Sequence, residues 1–401
     1  MNFLNGIAEQ YPNSVSLAAG RPPDNFLPAS LVPSMLKFGV ARESKRASAK
    51  IERTWRQFSQ YSDTNGLIIP TLKKLMKCSE DLEPHNFAIQ ITNGIQEALL
   101  IECSWASQER GAVIAFDPTY VGIAGAAATA GIPLYAVTRS TNPISAIDEA
   151  VTLARHDVSG PILLYVIADY DNPTSVSLTM DERIALLNLA KERSLLILED
   201  TAYRYFNFDT DRLPSLISLD THGIVIHLVS FSKLLMPGLR MGFSIRACGG
   251  PSASHQGMNT NIKSYVSVMT SPIMQAAVSG YLQHVGFDMD SANEERRNYL
   301  RDNRDTLDSE LSRHFSADTR FNWKKPQGGF FLMLNMPFSM SRDDAITAAR
   351  DYGVITVPIE MFSPSGAPSN SVRFAFSATS HADLAEGVQR FASYSKFRMH
   401  Y

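Results

Sequence analysis

A lysine, two serines and an arginine stand within eleven residues of one another, in Ser230-Phe231-Ser232-Lys233 and in Pro237-Gly238-Leu239-Arg240. Two hydroxyls and a guanidinium suit a dianionic phosphate. Cationic crowding lowers a lysine pKa, which brings the neutral amine, the form that attacks a carbonyl, within reach of pH 7. The same four residues also suit a surface turn with an exposed lysine. A second group, Glu199-Asp200-Thr201-Ala202-Tyr203, follows the apolar run Leu195-Leu196-Ile197-Leu198. A carboxylate at the end of a buried strand needs a cation or several donors. A protonated pyridine nitrogen is one such cation, with Tyr203 placed to reach a phenolic oxygen on the same ring; a helix-capping Asp beside a packed Tyr is the plainer alternative.

Four further positions fit that chemistry. Asp171-Asn172-Pro173-Thr174 closes the run Pro161–Ala168, and an Asn before Pro is biased towards extended backbone, which fixes its amide; a plain turn explains the tetrapeptide equally well. Thr92-Asn93-Gly94-Ile95-Gln96 carries a strand into a helix N-terminus, where free amides favour an anion. Tyr120, in Asp117-Pro118-Thr119-Tyr120, is placed to lay its ring over a flat ligand or to pack as an ordinary half-buried aromatic. Arg373 interrupts the apolar Val372-Arg373-Phe374-Ala375-Phe376 and needs an anion, either a substrate carboxylate or a structural partner.

These residues need a frame that sets them at strand ends. Ala88–Thr92, Ala112–Asp117, Pro133–Thr138, Ile162–Ala168, Leu195–Asp200, Ile224–Ser230 and Met241–Arg246 read as seven buried strands. Helical patterns lie between them, one opened by the capping box Thr179-Met180-Asp181-Glu182 and running to about Arg193. The expected fold is α/β, a mostly parallel seven-stranded sheet sandwiched by helices, with a smaller α+β domain. Ligands of such sheets bind beyond the carboxyl ends of the strands. After about residue 285 the order changes: a capping box at Ser291-Ala292-Asn293-Glu294 opens a charged helix to about His314. A strand at Gly329–Leu334, a helix from Ser341 to Gly353, a strand at Ser371–Phe376 and a last helix from Ser380 complete the chain. The proline-rich start (Pro12, Pro22, Pro23, Pro28, Pro33) reads as an irregular arm, and the basic stretch Arg42–Arg56 as a solvated helix face. The expected divisions are 1–44, the arm with part of the small domain; 45–285, the large domain; and 286–401, the small domain.

Composition removes several classes. The chain has 401 residues, 44% of them hydrophobic, with 37 Lys and Arg against 40 Asp and Glu, so a formal charge of -3 leaves no basic excess for nucleic acid. No apolar run approaches 18 residues, so no membrane span is expected. Three scattered cysteines argue against a disulfide framework or a zinc site, and nine histidines form no His-x-x-x-His pair. With no leader pattern in Met1-Asn2-Phe3-Leu4-Asn5, the expected location is cytoplasmic. Neither a Gly-x-Gly-x-x-Gly after a strand nor a P-loop is present.

Taken in order from Ala19-Gly20-Arg21-Pro22 to Arg373, with Asp200 lying 33 residues before Lys233, these motifs resemble those of the class I/II aminotransferases, pyridoxal-phosphate enzymes of fold type I. The resemblance implies pyridoxal 5′-phosphate as cofactor, with Lys233 as the lysine that joins it in an aldimine and then shuttles a proton. It implies Asp200 at the pyridinium nitrogen, Asn172 and Tyr203 at the ring hydroxyl oxygen, and Tyr120 stacked on the ring. Ser230, Ser232, Arg240 and the backbone of Gly94, Ile95 and Gln96 match phosphate ligands. Arg373 matches the clamp on the substrate carboxylate; Gly20 and Asn172 lie at the substrate. Tyr61, in Tyr61-Ser62-Asp63-Thr64-Asn65-Gly66, resembles a tyrosine that reaches the phosphate of the other subunit, which implies a homodimer. The implied reaction moves an amino group between an L-amino acid and a 2-oxo acid in amino-acid metabolism or biosynthesis. Oxidation, hydroxylation, elimination or cyclisation of an amino acid on the same scaffold is the alternative. Non-catalytic ligand sensors of this fold add an N-terminal DNA-binding domain, and this chain opens directly on the arm. Three positions depart from the family pattern: Ile95 where a small hydroxyl residue is usual, Ser175 where glycine follows Asn-Pro-Thr, and Pro358-Ile359-Glu360-Met361-Phe362, which lacks a glycine after the proline. Glu360 there is either an exposed carboxylate or a partner for a basic side chain.

Overall fold

Seven short apolar runs assemble into one sheet, and six of them are buried along most of their length because a strand covered on both faces has no solvent side to alternate with; the seventh, Leu134–Thr138, lies at the sheet edge and is buried only at Val137, contrary to the expected buried strand. The computed structural model describes residues 2–139 and 142–400. The strands are β1 (Phe87–Thr92), β2 (Ala112–Asp117), β3 (Leu134–Thr138), β4 (Ile162–Val166), β5 (Leu195–Asp200), β6 (Val225–Ser230) and β7 (Gly242–Ala247). Their order across the sheet is β1-β7-β6-β5-β4-β2-β3. All neighbours run parallel except β7, which is antiparallel to both β1 and β6. All seven expected strands are present, with ends moved by at most two residues.

The crossovers obey local chemistry. Thr179 Oγ1 accepts from the Glu182 amide and Glu182 Oε2 from the Thr179 amide, so the expected capping box opens the helix Met180–Glu192. The helices Val32–Arg46 and Pro272–His284 cross so closely that a Cβ on Gly39 would stand 1.8 Å from the Ala276 carbonyl oxygen. Only glycine fits there, and the contact seats residues 32–46 against the helix that follows the sheet.

The second unit is a four-stranded antiparallel sheet of β8 (Asn322–Trp323), β9 (Phe331–Asn335), β10 (Val357–Pro358) and β11 (Ser371–Ala375), in the order β10-β11-β9-β8. The helices Glu294–Phe315, Arg342–Tyr352 and His381–His400 belong with it. Val15 and Ser16 pair in parallel with Val354 and Ile355, which binds the arm to this unit.

Two expectations need correction. The capping box at Ser291 does not form: the Asp288 carboxylate takes both the Ser291 amide (3.0 Å) and its hydroxyl (2.6 Å) and caps the short helix Met289–Ala292. The long helix starts at Glu294, behind Asn293. The irregular arm contains a helix, Asn2–Gln10, and Pro33 sits in the first turn of Val32–Arg46, where its missing N–H breaks no bond.

Candidate active site

The carboxyl ends of β5 and β6 and the loop after β4 converge with β11 of the second unit. Asp200 ends β5 and is 3% exposed. Its Oδ2 accepts from Tyr165 Oη at 2.8 Å and its Oδ1 from the Ala202 amide at 3.0 Å. Burial pushes this carboxyl up to about 6, against the pull of the two donors, and the nearby Asp171 adds to the rise. A buried carboxylate in that condition calls for a cation.

One is close. Lys233 lies in the short helix Phe231–Leu234 that turns off the end of β6, and its Nζ donates to the Gly20 carbonyl at 2.6 Å. Burial lowers its pKa to about 8; the charges of Arg373 and then Arg240 add to the fall, while Asp200 opposes it. A large fraction of the amine is therefore neutral near pH 8 and available as a nucleophile. Arg296 fixes the backbone here, donating to the carbonyls of Lys233 (2.7 Å) and Leu234 (3.0 Å).

Around the lysine stands a cradle of donors. Ser230 Oγ accepts from the Ser232 amide, Arg240 Nη1 reaches Ser232 Oγ at 3.4 Å, and Arg240 Nη2 donates to the Asn93 carbonyl at 3.2 Å. Gly94 caps the helix Ile95–Gln108 with φ +81°, and a Cβ there would come within 3.1 Å of Arg240 Nη2. The glycine thus supplies both the left-handed backbone and the room beside the guanidinium. The helix N-terminus, two serines and an arginine meet at one point. The Ile95 side chain is buried and the Gln96 amide donates to Gly122 O at 2.9 Å, so at both positions the backbone amide faces an anion more readily than the side chain does. Tyr120 donates to Gln96 Oε1 at 3.5 Å, and burial raises its phenol to about 12.

Arg373 sits in β11 with no carboxylate at ion-pair distance among the described residues. Its Nη1 donates to Asn172 Oδ1 and its Nη2 to Ala18 O, both at 2.7 Å, while Nε has no partner. The guanidinium lies 4.1 Å from the Phe331 ring centre and 4.6 Å from that of Phe362, and burial lowers its pKa to about 10. Tyr203 is buried edge-on to Phe330 and Phe331, at 5.3 and 5.6 Å. Burial holds its phenol well above the usual range.

The structure thus gathers Gly20, Gly94, Ile95, Gln96, Tyr120, Asn172, Asp200, Tyr203, Ser230, Ser232, Lys233, Arg240 and Arg373. Tyr61 projects into solvent, 78% exposed, and no hydrogen bond or ring contact among the described residues joins it to the set. Tyr165 and Arg296 escaped sequence reasoning. A hydroxyl amid Ile162-Leu163-Leu164 and Val166 was the available signal for the first; nothing local marks the second.

The pattern of the family "Aminotransferase class I and II" matches residues 36–391. The chain belongs to the class I and II aminotransferases. It is 34% identical to an (S)-3,5-dihydroxyphenylglycine transaminase of Amycolatopsis orientalis, over 98% of this chain and 90% of that one. Identity to a 2-aminoadipate transaminase of Thermus thermophilus is 27%, over 95% and 90%. Among solved structures, a multiple substrate aminotransferase from Thermococcus profundus shares the fold, with a TM-score of 0.85, 23% identity and coverage of 100% and 95%.

The protein is accordingly a pyridoxal-phosphate-dependent aminotransferase that transfers an amino group between an amino acid and a 2-oxo acid. The residues present fit that cofactor. Asp200 is a desolvated carboxylate short of a cation, Lys233 an amine with a lowered pKa, and the Gly94–Arg240 cradle an anion site kept open by a missing Cβ. Two residues at the departures from the family pattern find local partners. Ser175 takes a left-handed φ of +59° and donates to Phe331 O at 2.5 Å, tying the Asn172 loop to β9. Glu360 accepts from the Arg342 amide at 2.7 Å, so it caps a helix of the second unit. No described helix is long and apolar enough to cross a membrane.

Proposed function

We propose that this aminotransferase acts on an amino acid with an uncharged aromatic side chain, and that the gathered residues divide the work as follows. Asp200 would pair with the ring nitrogen of the cofactor and keep it protonated, Asn172 and Tyr203 would bond the ring hydroxyl oxygen, and Tyr120 would pack against the ring. Ser230, Ser232, Arg240 and the amides of Gly94, Ile95 and Gln96 hold the phosphate. Lys233 Nζ anchors the cofactor and, once free, takes the proton from the substrate Cα and returns it on the other side of the reaction. Arg373 clamps the α-carboxylate beside Gly20 and Asn172. When bound, the cofactor supplies the electron sink for the bond changes at Cα.

The observation that carries the substrate class is the setting of Arg373 between two phenyl rings, Phe331 and Phe362. A clamp walled by aromatic rings favours a flat apolar side chain next to the carboxylate it binds. Charged alternatives find little support: Arg21 pairs with Asp24 at the surface and Glu360 is spent on its helix cap. The relative named for dihydroxyphenylglycine, an aromatic amino acid, points the same way.

This reading includes a homodimer in the cytoplasm, with residues 45–285 forming the cofactor-binding unit and Tyr61 reaching the phosphate of the other subunit. Tyr61, Tyr265, Val266, Val268 and Ile273 are exposed apolar residues, and the Ser62 amide contacts Met269 Sδ at 3.0 Å, which draws the two segments into one patch. The three cysteines are free, as a reducing compartment requires. The test is a screen of amino donors by conversion of the bound cofactor to its amino form. Aromatic donors are expected to outpace glutamate, leucine and lysine by tenfold or more in kcat/KM; a preference for any charged donor overturns the substrate class.

A further inference from the structure

We propose that Tyr165 is a positioning residue for the reaction, holding Asp200 ionised and aimed at the cofactor ring nitrogen. The inference rests on the role given to Asp200 above and adds a residue to it.

β4 reads Ile162-Leu163-Leu164-Tyr165-Val166 and is buried throughout; Tyr165 itself is 1% exposed. Four of these five positions are aliphatic. A phenol in their midst loses its hydration and must find a partner. Register explains which one. Tyr165 lies opposite Leu198 on the parallel neighbour β5, and Asp200 follows Leu198 by two residues, on the same face of the sheet. The ring therefore points along the strand to the carboxylate, and its Oη meets Oδ2 at 2.8 Å.

The bond has one direction. Burial, and then the charge of Asp200, hold the Tyr165 phenol well above its usual pKa, so at any working pH it is a donor. Its counterpart is a carboxyl that burial drives towards the neutral acid. Every group facing Asp200 has a part in that balance. Tyr165 from β4 and the Ala202 amide favour the anion, as does His227 from β6, which Glu199 holds at 2.7 Å. Asp171, after β4, disfavours it, although Arg139 at 3.2 Å offsets part of its charge. Tyr120 and Lys233 stand on the open side. Tyr165 and Ala202 each engage one carboxylate oxygen, which fixes the plane of the group and leaves its remaining lone pairs to a cation arriving from that side. Without the phenol, the Ala202 amide is the one hydrogen-bond donor left to the carboxylate among the described residues, against the same burial and the same charge of Asp171.

Tyr165→Phe removes one oxygen and leaves the packing of the ring. In the purified enzyme it is expected to weaken cofactor affinity about tenfold, some 1.4 kcal/mol, as read by titration of cofactor into the stripped protein. It should also lower kcat at least tenfold with KM changed less than threefold, and shift the pH dependence of the bound cofactor's absorbance. Placed on Asp200→Asn, the same change should add less than twofold to either measure, because the carboxylate through which it acts is gone. If Asp200→Asn is severe while Tyr165→Phe stays within twofold of wild type, the proposal is overturned and the role of Asp200 stands. Equal losses on both backgrounds mean a structural role only and also overturn it. If Asp200→Asn itself leaves affinity and kcat intact, the role of Asp200 falls first.

Discussion

Arg373→Gln tests the proposed substrate clamp where function and stability should part. The guanidinium is buried with no carboxylate at ion-pair distance among the described residues, and burial lowers its pKa from 12.5 to about 10. That fall of 2.5 corresponds to about 3 kcal/mol of unfavourable desolvation in the folded state. Removing the charge relieves this cost. It also strips the donors from Asn172 Oδ1 and Ala18 O, both at 2.7 Å, at roughly 1–3 kcal/mol each. The Gln amide can restore one of them. The terms nearly cancel, so the melting temperature should move by only a few degrees. Substrate binding has no such compensation. Losing a buried, forked contact to a carboxylate costs roughly 2–5 kcal/mol, so kcat/KM should fall by about 30- to 5000-fold. The assay pairs steady-state kinetics with the cofactor's visible band, which should persist because Arg373 is not among the phosphate donors. A kcat/KM within threefold of wild type, or loss of the cofactor band in step with activity, refutes the reasoning.

Lys233 carries a lowered pKa of about 8, first through burial and then through Arg373, so its neutral fraction grows as pH rises. Cofactor uptake by the stripped protein, followed by stopped-flow absorbance, should therefore accelerate with pH and level off above a midpoint near 8; on Arg373→Gln the midpoint should move upward. Lys233→Ala should abolish the absorbance band of lysine-bound cofactor, and an unchanged spectrum would remove the lysine from its role. Ser175 combines a left-handed φ of +59° with a hydroxyl anchored on Phe331 O. Ser175→Ala loses the anchor and keeps the strain, whereas Ser175→Gly loses the anchor and sheds the strain, so the Gly protein should be more stable by about 1 kcal/mol in thermal unfolding; equal stability would show that the loop holds no strain.

The large sheet was legible because all its strands but the edge strand Leu134–Thr138 are buried along most of their length, and a doubly buried strand leaves a nearly unbroken apolar run wherever it lies. The site was legible for the complementary reason: Asp200 and Ser230 each end such a run, and a polar group at that place is expensive unless it works. What stayed hidden depends on pairing across distance. Asn172 and Arg373 are 201 residues apart and meet only when β11 folds over the loop after β4. Tyr165 reads as one more core aromatic until the register with β5 sets it against Asp200. The cap at Asp288 was missed because Ser291 offers the same pattern three residues later, and a carboxylate that takes both the amide and the hydroxyl of Ser291 leaves no capping group there.

The altered pKa values at the site share one physical cause. That cause is burial, which lowers Lys233 and Arg373 and raises Asp200 to about 6 against the pull of its two donors, and with Arg240 the cleft gathers three basic groups. Such a site is poorly balanced by itself: among the described residues no ion pair joins Lys233, Arg240, Arg373 or Asp200 to an opposite charge, and a buried Nε of Arg373 has no acceptor. A phosphate, a protonated ring nitrogen and a substrate carboxylate would supply each missing charge with the opposite sign. The free energy that folding leaves unspent in these mismatches becomes binding energy, which is why a chain of net charge -3 concentrates positive charge where two anions are to be held.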